Sequence, residues 1–259
     1  MIRAGIGGWN FEPWRGVFFP KGTSKAKELH YASRQVTSIE VNGTFYSTFK
    51  PPTFRKWHDE TPDGFVFALK ANRFAVNRRV LAEAGPSIAR FLESGVSELK
   101  GKLGPILWQF MHTKKFDPAD FEAFLALLPA SIDGVKLRHA VEPRHESFLT
   151  PAFVTLARKY DAAIVFADSK KYPAIADPTA DFVYCRLQES QEDVPNGYKP
   201  AAVKTWAAAA KAWEAGGTPK GFALLGKAPA KKKRDVFVYF IAGAKVRNPA
   251  AAAAFLKAL

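Results

Sequence analysis

The chain has 259 residues, 47% of them apolar and 14% aromatic, enough to fill a large core, and no run of about 18 apolar residues that would span a membrane. Its 38 Lys and Arg against 24 Asp and Glu give a formal charge of +14. Such a surplus attracts anions such as nucleic acid, phosphate esters or acidic headgroups, and serves equally well as a solvated surface. The one cysteine, Cys185, sits in an apolar run and excludes a disulfide within the chain. Met1 to Trp9 reads as a strand entering a glycine turn rather than as a leader, and together these features favour the cytoplasm.

Short apolar runs alternate with amphipathic stretches. In chain order the predicted strands are Arg3–Gly8, Ser38–Asn42, Phe65–Lys70, Ile106–Phe110, Lys136–Glu142, Ala163–Asp168, Phe182–Leu187 and Val236–Ile241. Helices are predicted at Ser24–Arg34, Thr53–Asp59, Ser87–Glu98, Pro118–Leu128, Pro151–Tyr160, Ala201–Glu214 and Ala250–Ala258. Ser24 and Asp117 are N-cap residue types, and Pro118 suits the first turn of its helix. Pro173 and Pro178 leave the helix after the sixth strand missing or vestigial. Eight strands with intervening helices in this length imply parallel pairing, and the fold expected is a single α/β domain over residues 1–259, a (β/α)8 TIM-like barrel, with an open sheet as the alternative. The run Lys227–Arg234 is expected to be a solvated loop on the face opposite the active site.

A barrel of this kind carries its chemistry where strands feed into βα loops. Those ends hold Trp9, Glu40, Asn42, Lys70, Gln109, Glu142, Arg144, Asp168 and Arg186, with Tyr46 and Arg73 just beyond. Alternation places Glu40 with Asn42, Glu142 with Arg144, and Phe166 with Asp168. Ile39 and Val41 suit the helix-facing side, which turns Glu40 and Asn42 inward. Charges turned toward a common axis are costly unless paired, so one network is expected. A mere plug of mutually neutralised charges is the plain alternative; so many polar strand ends on one rim favour a site.

The same residues resemble the YecE-like family, domain of unknown function 72. The likeness runs over nearly the whole chain. It includes Gly8-Trp9-Asn10-Phe11, Ile39-Glu40-Val41-Asn42-Gly43-Thr44-Phe45-Tyr46, Lys70, Leu107-Trp108-Gln109-Phe110, Glu142-Pro143-Arg144-His145-Glu146-Ser147, Asp168 and Tyr184-Cys185-Arg186-Leu187. The resemblance implies a β/α barrel and names no reaction. Three positions depart from the pattern. Asn77 stands where a histidine is usual, Phe148 where a tryptophan is usual, and the last strand runs Tyr239 to Gly243 without an Asn-Asn-Asp ending. These departures put in question any chemistry that needs that histidine or that aspartate.

No dinucleotide fingerprint, Walker A run or zinc signature is present, so no nucleotide cofactor is expected. A divalent metal on Glu40, Glu142 and Asp168 is chemically reasonable for carboxylates but is disfavoured by the cations of Lys70, Arg144 and Arg186 close by. The reading favoured is an enzyme, a hydrolase or lyase, acting on a phosphate-bearing ligand such as a phosphosugar, nucleotide or nucleic acid. Glu40 or Glu142 would be its acid or base, Asp168 an orienting group, and Lys70, Arg73, Arg144 and Arg186 its anion contacts. Trp9 and Tyr46 would form a ligand wall, with Asn42 and Gln109 as polar contacts. The alternatives are a non-catalytic nucleic-acid binder and a glycosidase-like pair of Glu40 with Glu142.

Overall fold

A computed structural model describes all of residues 1–259. Eight parallel strands close into one barrel: β1 (Ile2–Gly7), β2 (Ser38–Val41), β3 (Val66–Lys70), β4 (Leu103–Gln109), β5 (His139–Glu142), β6 (Ala163–Asp168), β7 (Phe182–Leu187) and β8 (Asp235–Phe240). They are neighbours in chain order, and β1 closes the ring by pairing with both β8 and β2. The close approach of β1 to β2 depends on Gly5, because a Cβ there would lie 1.7 Å from the Ser38 carbonyl oxygen.

Alternation along the strands divides the apolar residues into two clusters. Inside the barrel, Phe182, Tyr184, Phe237 and Tyr239 pack with Val66 and Leu107. Outside, a larger cluster lies between strands and helices and includes Ile39, Val41, Trp108, Phe166, Trp206 and Trp213. The Tyr239 hydroxyl lies 2.7 Å from Ser38 Oγ, which itself donates to the Val66 carbonyl at 2.7 Å. The barrel interior is thus hydrogen-bonded as well as packed.

Most expected helices form, with shifted ends. The helix expected at Ser87–Glu98 is Gly85–Leu92, followed by a 3-10 segment from Val96. Gly95 separates them in a left-handed conformation (φ 111°) that an L side chain rarely adopts. The fifth strand begins at His139 rather than Lys136. Val135–Lys136 pairs instead with Ser131–Ile132 in a small antiparallel hairpin. Asp133 and Gly134 both have positive φ (48° and 75°), as a tight hairpin turn of Asp-Gly type requires.

Asp117 caps its helix by accepting from the Ala119 and Asp120 amides, whereas Ser24 holds the cap position without a side-chain bond. No helix separates β6 from β7. The irregular segment is fastened by buried Asp177, whose carboxylate accepts from the Leu225 and Gly226 amides at 2.9 and 2.8 Å. The basic run before β8 is only partly a solvated loop. Lys231, Lys232 and Lys233 are exposed, but Arg234 is buried. No helix is long and apolar enough to cross a membrane.

Candidate functional site

At the C-terminal end of the barrel one arginine joins two buried carboxylates. Arg186 donates from Nε to Glu40 Oε2 (3.1 Å), from Nη2 to Glu40 Oε1 (3.0 Å), and from Nη1 to Glu142 Oε2 (2.7 Å). Both carboxylates have no exposed surface, and Arg186 is 3% exposed. Further donors complete the shell. Tyr184 gives its hydroxyl to Glu40 Oε2 at 2.7 Å, and Asn42 Nδ2 donates to Glu40 Oε1 at 3.1 Å. Gln109 Nε2 donates to Glu142 Oε2 at 2.8 Å, and Arg144 Nε donates to Glu142 Oε1 at 3.1 Å. Buried charges of this kind persist because each desolvated oxygen finds a charged or polar donor.

The electrostatics follow from that geometry. Burial alone would raise the Glu142 carboxyl, but Arg186 and Arg144 outweigh it and hold the group below its ordinary range. Burial would lower the Arg186 guanidinium, and the two glutamates more than reverse that. Burial, with the neighbouring Glu40 carboxylate, drives the Tyr184 hydroxyl well above its usual value, so it remains a donor.

Two cations reach from this network toward the mouth. Lys70, 6% exposed and in no ion pair, places Nζ 4.0 Å from the ring centroid of Phe45. Burial, then Arg186, pushes its pKa down to about 8, against the opposing pull of Glu40 and Glu142. Arg144 is partly exposed and lies over the Tyr172 ring at 4.2 Å. The loops behind them are tied down locally. Thr44 Oγ1 donates to the carbonyls of Val41 and Lys70, and Asn72 Oδ1 accepts from the Phe74 amide.

Seven of the sequence candidates therefore share one neighbourhood: Glu40, Asn42, Lys70, Gln109, Glu142, Arg144 and Arg186. Asp168 does not join them. Ala167, not Asp168, is level with Arg186, and Phe166 on the same face as Asp168 packs outward on Trp206 and Trp213. Asp168 thus leaves the barrel on the helix side, where burial and then Glu189 raise its carboxyl to about 6. The carboxylate trio considered for a metal is accordingly not assembled. Arg73 is also outside the network, exposed and stacked at 5.2 Å over Phe74.

Trp9 and Tyr46 lie beside the network, on the wall of a cavity of about 910 Å³ between helices Lys25–Ala32 and Pro51–Glu60. This cavity does not contain Glu40, Glu142 or Arg186; Asn42 lines it and also touches Glu40, so it links the two. Gly7 leaves room for that link, since a Cβ there would come within 3.2 Å of Asn42 Nδ2. Three contributors were not among the expected site residues. Tyr184 was legible in principle, sharing a strand face with Arg186. Phe45 sits in the one-turn helix Gly43–Tyr46 and Tyr172 in an irregular segment, both too short for periodicity to point at a partner.

A family model described as a protein of unknown function, DUF72, matches residues 3–259. The chain belongs to that family. The curated protein YecE of Escherichia coli K12 is 29% identical over 143 residues, covering 54% of this chain and 49% of its own length. The chain spans about half the length of the curated relatives it matches. Among solved structures, a DUF72 protein of Thermotoga maritima superposes with a TM-score of 0.75 at 20% identity, covering 99% of this chain and 98% of its own. One from Enterococcus faecalis gives 0.73 at 15% identity, covering 100% and 95%. The structure of SacUVDE gives 0.57 at 9% identity, covering 99% and 97%. At these identities the likeness establishes the barrel fold that DUF72 shares with SacUVDE.

Proposed function

We propose that this DUF72 chain binds a phosphate-bearing ligand, of the phosphosugar, nucleotide or nucleic-acid kind, at the C-terminal mouth of the barrel, and acts on it as a hydrolase or lyase. The observation that carries the reading is Lys70, a nearly buried ammonium held against Phe45 beside two arginines, with no carboxylate bonded to it. Keeping a third cation there is costly unless an anion arrives to offset it.

Arg144 and Lys70 supply the anion contacts in this reading. Arg186 is committed to Glu40 and Glu142 and acts as a positioning residue. Glu40 accepts from Tyr184, from Asn42 and twice from Arg186, which leaves it little capacity to take a proton. Glu142 Oε1 accepts only from Arg144, so Glu142 is the better base for a substrate hydroxyl or a water. A glycosidase-like pair is not supported. Such a pair needs one protonated carboxylic acid, whereas Glu142 is held anionic and both glutamates are tied to the same guanidinium.

The test is thermal. Phosphate or sulfate should raise the melting temperature more than chloride at equal ionic strength, and Arg144→Ala should abolish the difference. An equal response of wild type to all three salts, or a difference that survives Arg144→Ala, overturns the anion site. For catalysis, Glu142→Gln should lose turnover of a phosphate-ester probe that wild type hydrolyses; retained turnover removes Glu142 from the mechanism.

A further inference from the structure

The exposed apolar side chains of this chain are not scattered. Apart from the terminal Met1 and Leu259, the large ones are Val17, Tyr46, Phe74, Val80, Met111 and Leu149. Every one lies in a βα loop, after β1, β2, β3, β4 or β5, and so at the end of the barrel that holds the charge network. The loops on the opposite face expose none. Tyr46 and Phe74 stand out at 64% and 62% exposure, far above the usual burial of aromatic residues.

The same loops are basic. In the loops after β2 to β5, Arg78, Lys114 and Arg144 are held by protein acceptors, while Lys50, Arg73, Arg79 and Lys115 are exposed and in no ion pair. Against them stand three acids, Glu83, Asp117 and Glu146, and Asp117 is occupied as a helix cap. Beside Tyr46 opens the 910 Å³ cavity, whose wall carries Trp9, Tyr46 and Trp57 together with Lys25, Lys56 and Lys245.

The geometry points to a rim that binds single-stranded nucleic acid, its phosphates on Lys50, Arg73, Arg79 and Lys115, its bases stacked on Tyr46 and Phe74, and one unstacked base in the cavity beside Trp9. Aromatic faces interleaved with cations are how proteins hold a strand without reading a duplex. The cavity lies in the upper part of the size range that takes a ligand such as one nucleotide. A flat anionic bilayer would engage the cations and leave the cavity unfilled. This names a ligand class for the mouth but rests on residues other than Arg144 and Lys70, so it and the anion site can fail separately.

Fluorescence anisotropy with a labelled 12-mer oligodeoxynucleotide tests it, with a heparin fragment as a polyanion lacking bases and phosphatidylserine vesicles as a membrane probe. Tyr46→Ala and Phe74→Ala should each weaken oligonucleotide binding by roughly fivefold or more and leave heparin binding unchanged. Both side chains are exposed, so the variants keep the fold, which unchanged melting would verify. Each phosphate contact contributes about −0.7 to the slope of log affinity against log salt, so Arg79→Ala with Lys115→Ala should flatten the slope by roughly 1.4. Replacing Lys231, Lys232 and Lys233 with alanine should leave it unchanged. The inference fails if heparin competes as well as the oligonucleotide and the aromatic variants bind normally. It also fails if the slope follows the lysine run on the opposite face, or if vesicles bind and the strand does not.

Discussion

Arg186 faces Glu40 side-on, its Nε and Nη2 donating to the two carboxylate oxygens at 3.1 and 3.0 Å. A lysine could not reproduce that fork. The remaining nitrogen, Nη1, holds Glu142 at 2.7 Å, so a single side chain bridges both buried acids, and Arg144 on Glu142 supplies the second positive charge. Arg186→Ala would leave two desolvated carboxylates short of their main partner. It should destabilise the fold by about 3–5 kcal/mol, measured by urea denaturation. Arg186→Lys should recover only part of this. A loss under about 1 kcal/mol for Arg186→Ala would mean that Tyr184, Asn42, Gln109 and Arg144 satisfy the pair unaided.

Lys70 gives the anion site a pH dependence of definite sign. Its pKa is lowered to about 8, so the ammonium that an anion needs is present below that value and lost above it. Phosphate affinity should therefore fall as pH rises through about 8, with proton uptake on binding near that pH. Calorimetry in buffers of different ionisation enthalpy measures both. Lys70→Met should weaken binding and remove this pH step. The linked stability term runs the other way. Between about pH 8 and the ordinary lysine value of 10.5 the unfolded chain binds the extra proton, so the ligand-free protein gains stability from Lys70 as pH rises through that window.

Much of this site was readable before the fold. Ile39 and Val41 demanded cover from helices, which turned Glu40 and Asn42 inward, and both now meet at one carboxylate oxygen. The same reasoning, carried to β6, would have excluded Asp168: Phe166 on its face needs the tryptophans of the Pro200–Glu214 helix. What period-two alternation cannot supply is the identity of loop partners. Phe45 under Lys70 is placed by the one-turn helix Gly43–Tyr46, and Tyr172 under Arg144 by irregular backbone. Nor does it indicate how many donors converge on one oxygen, which is what separates Glu40 from Glu142.

Asp168 makes a second pH prediction, of opposite origin. Burial and Glu189 raise its pKa to about 6 from an ordinary 3.8. The folded chain therefore binds the extra proton between these values, and this group's contribution to stability falls as pH rises from about 4 to 6. Asp168→Asn should stabilise the protein at pH 7 by an amount of order 1 kcal/mol, since partial exposure screens the charge, and should have little effect at pH 4. A variant equally destabilised at both pH values would show that the carboxylate has a structural partner.

In the basic run before β8, four consecutive cations have two different fates. Lys231, Lys232 and Lys233 are exposed, whereas the Arg234 side chain turns into the base of the barrel. Its guanidinium donates to the carbonyls of Ala180 (3.2 Å), Gly216 (3.3 Å), Lys232 (3.2 Å) and Ala230 (3.3 Å). It thereby ties the segment before β7, the end of the Pro200–Glu214 helix and its own loop into one unit. Arg234→Ala removes these bonds and leaves the buried carbonyls of Ala180 and Gly216 short of a donor, at a cost of roughly 2–4 kcal/mol. Alanine at Lys231, Lys232 and Lys233 together should change stability by no more than about 1 kcal/mol. Urea midpoints of the two variants compare the cases directly, and equal midpoints would contradict the assignment of Arg234 as a structural clamp.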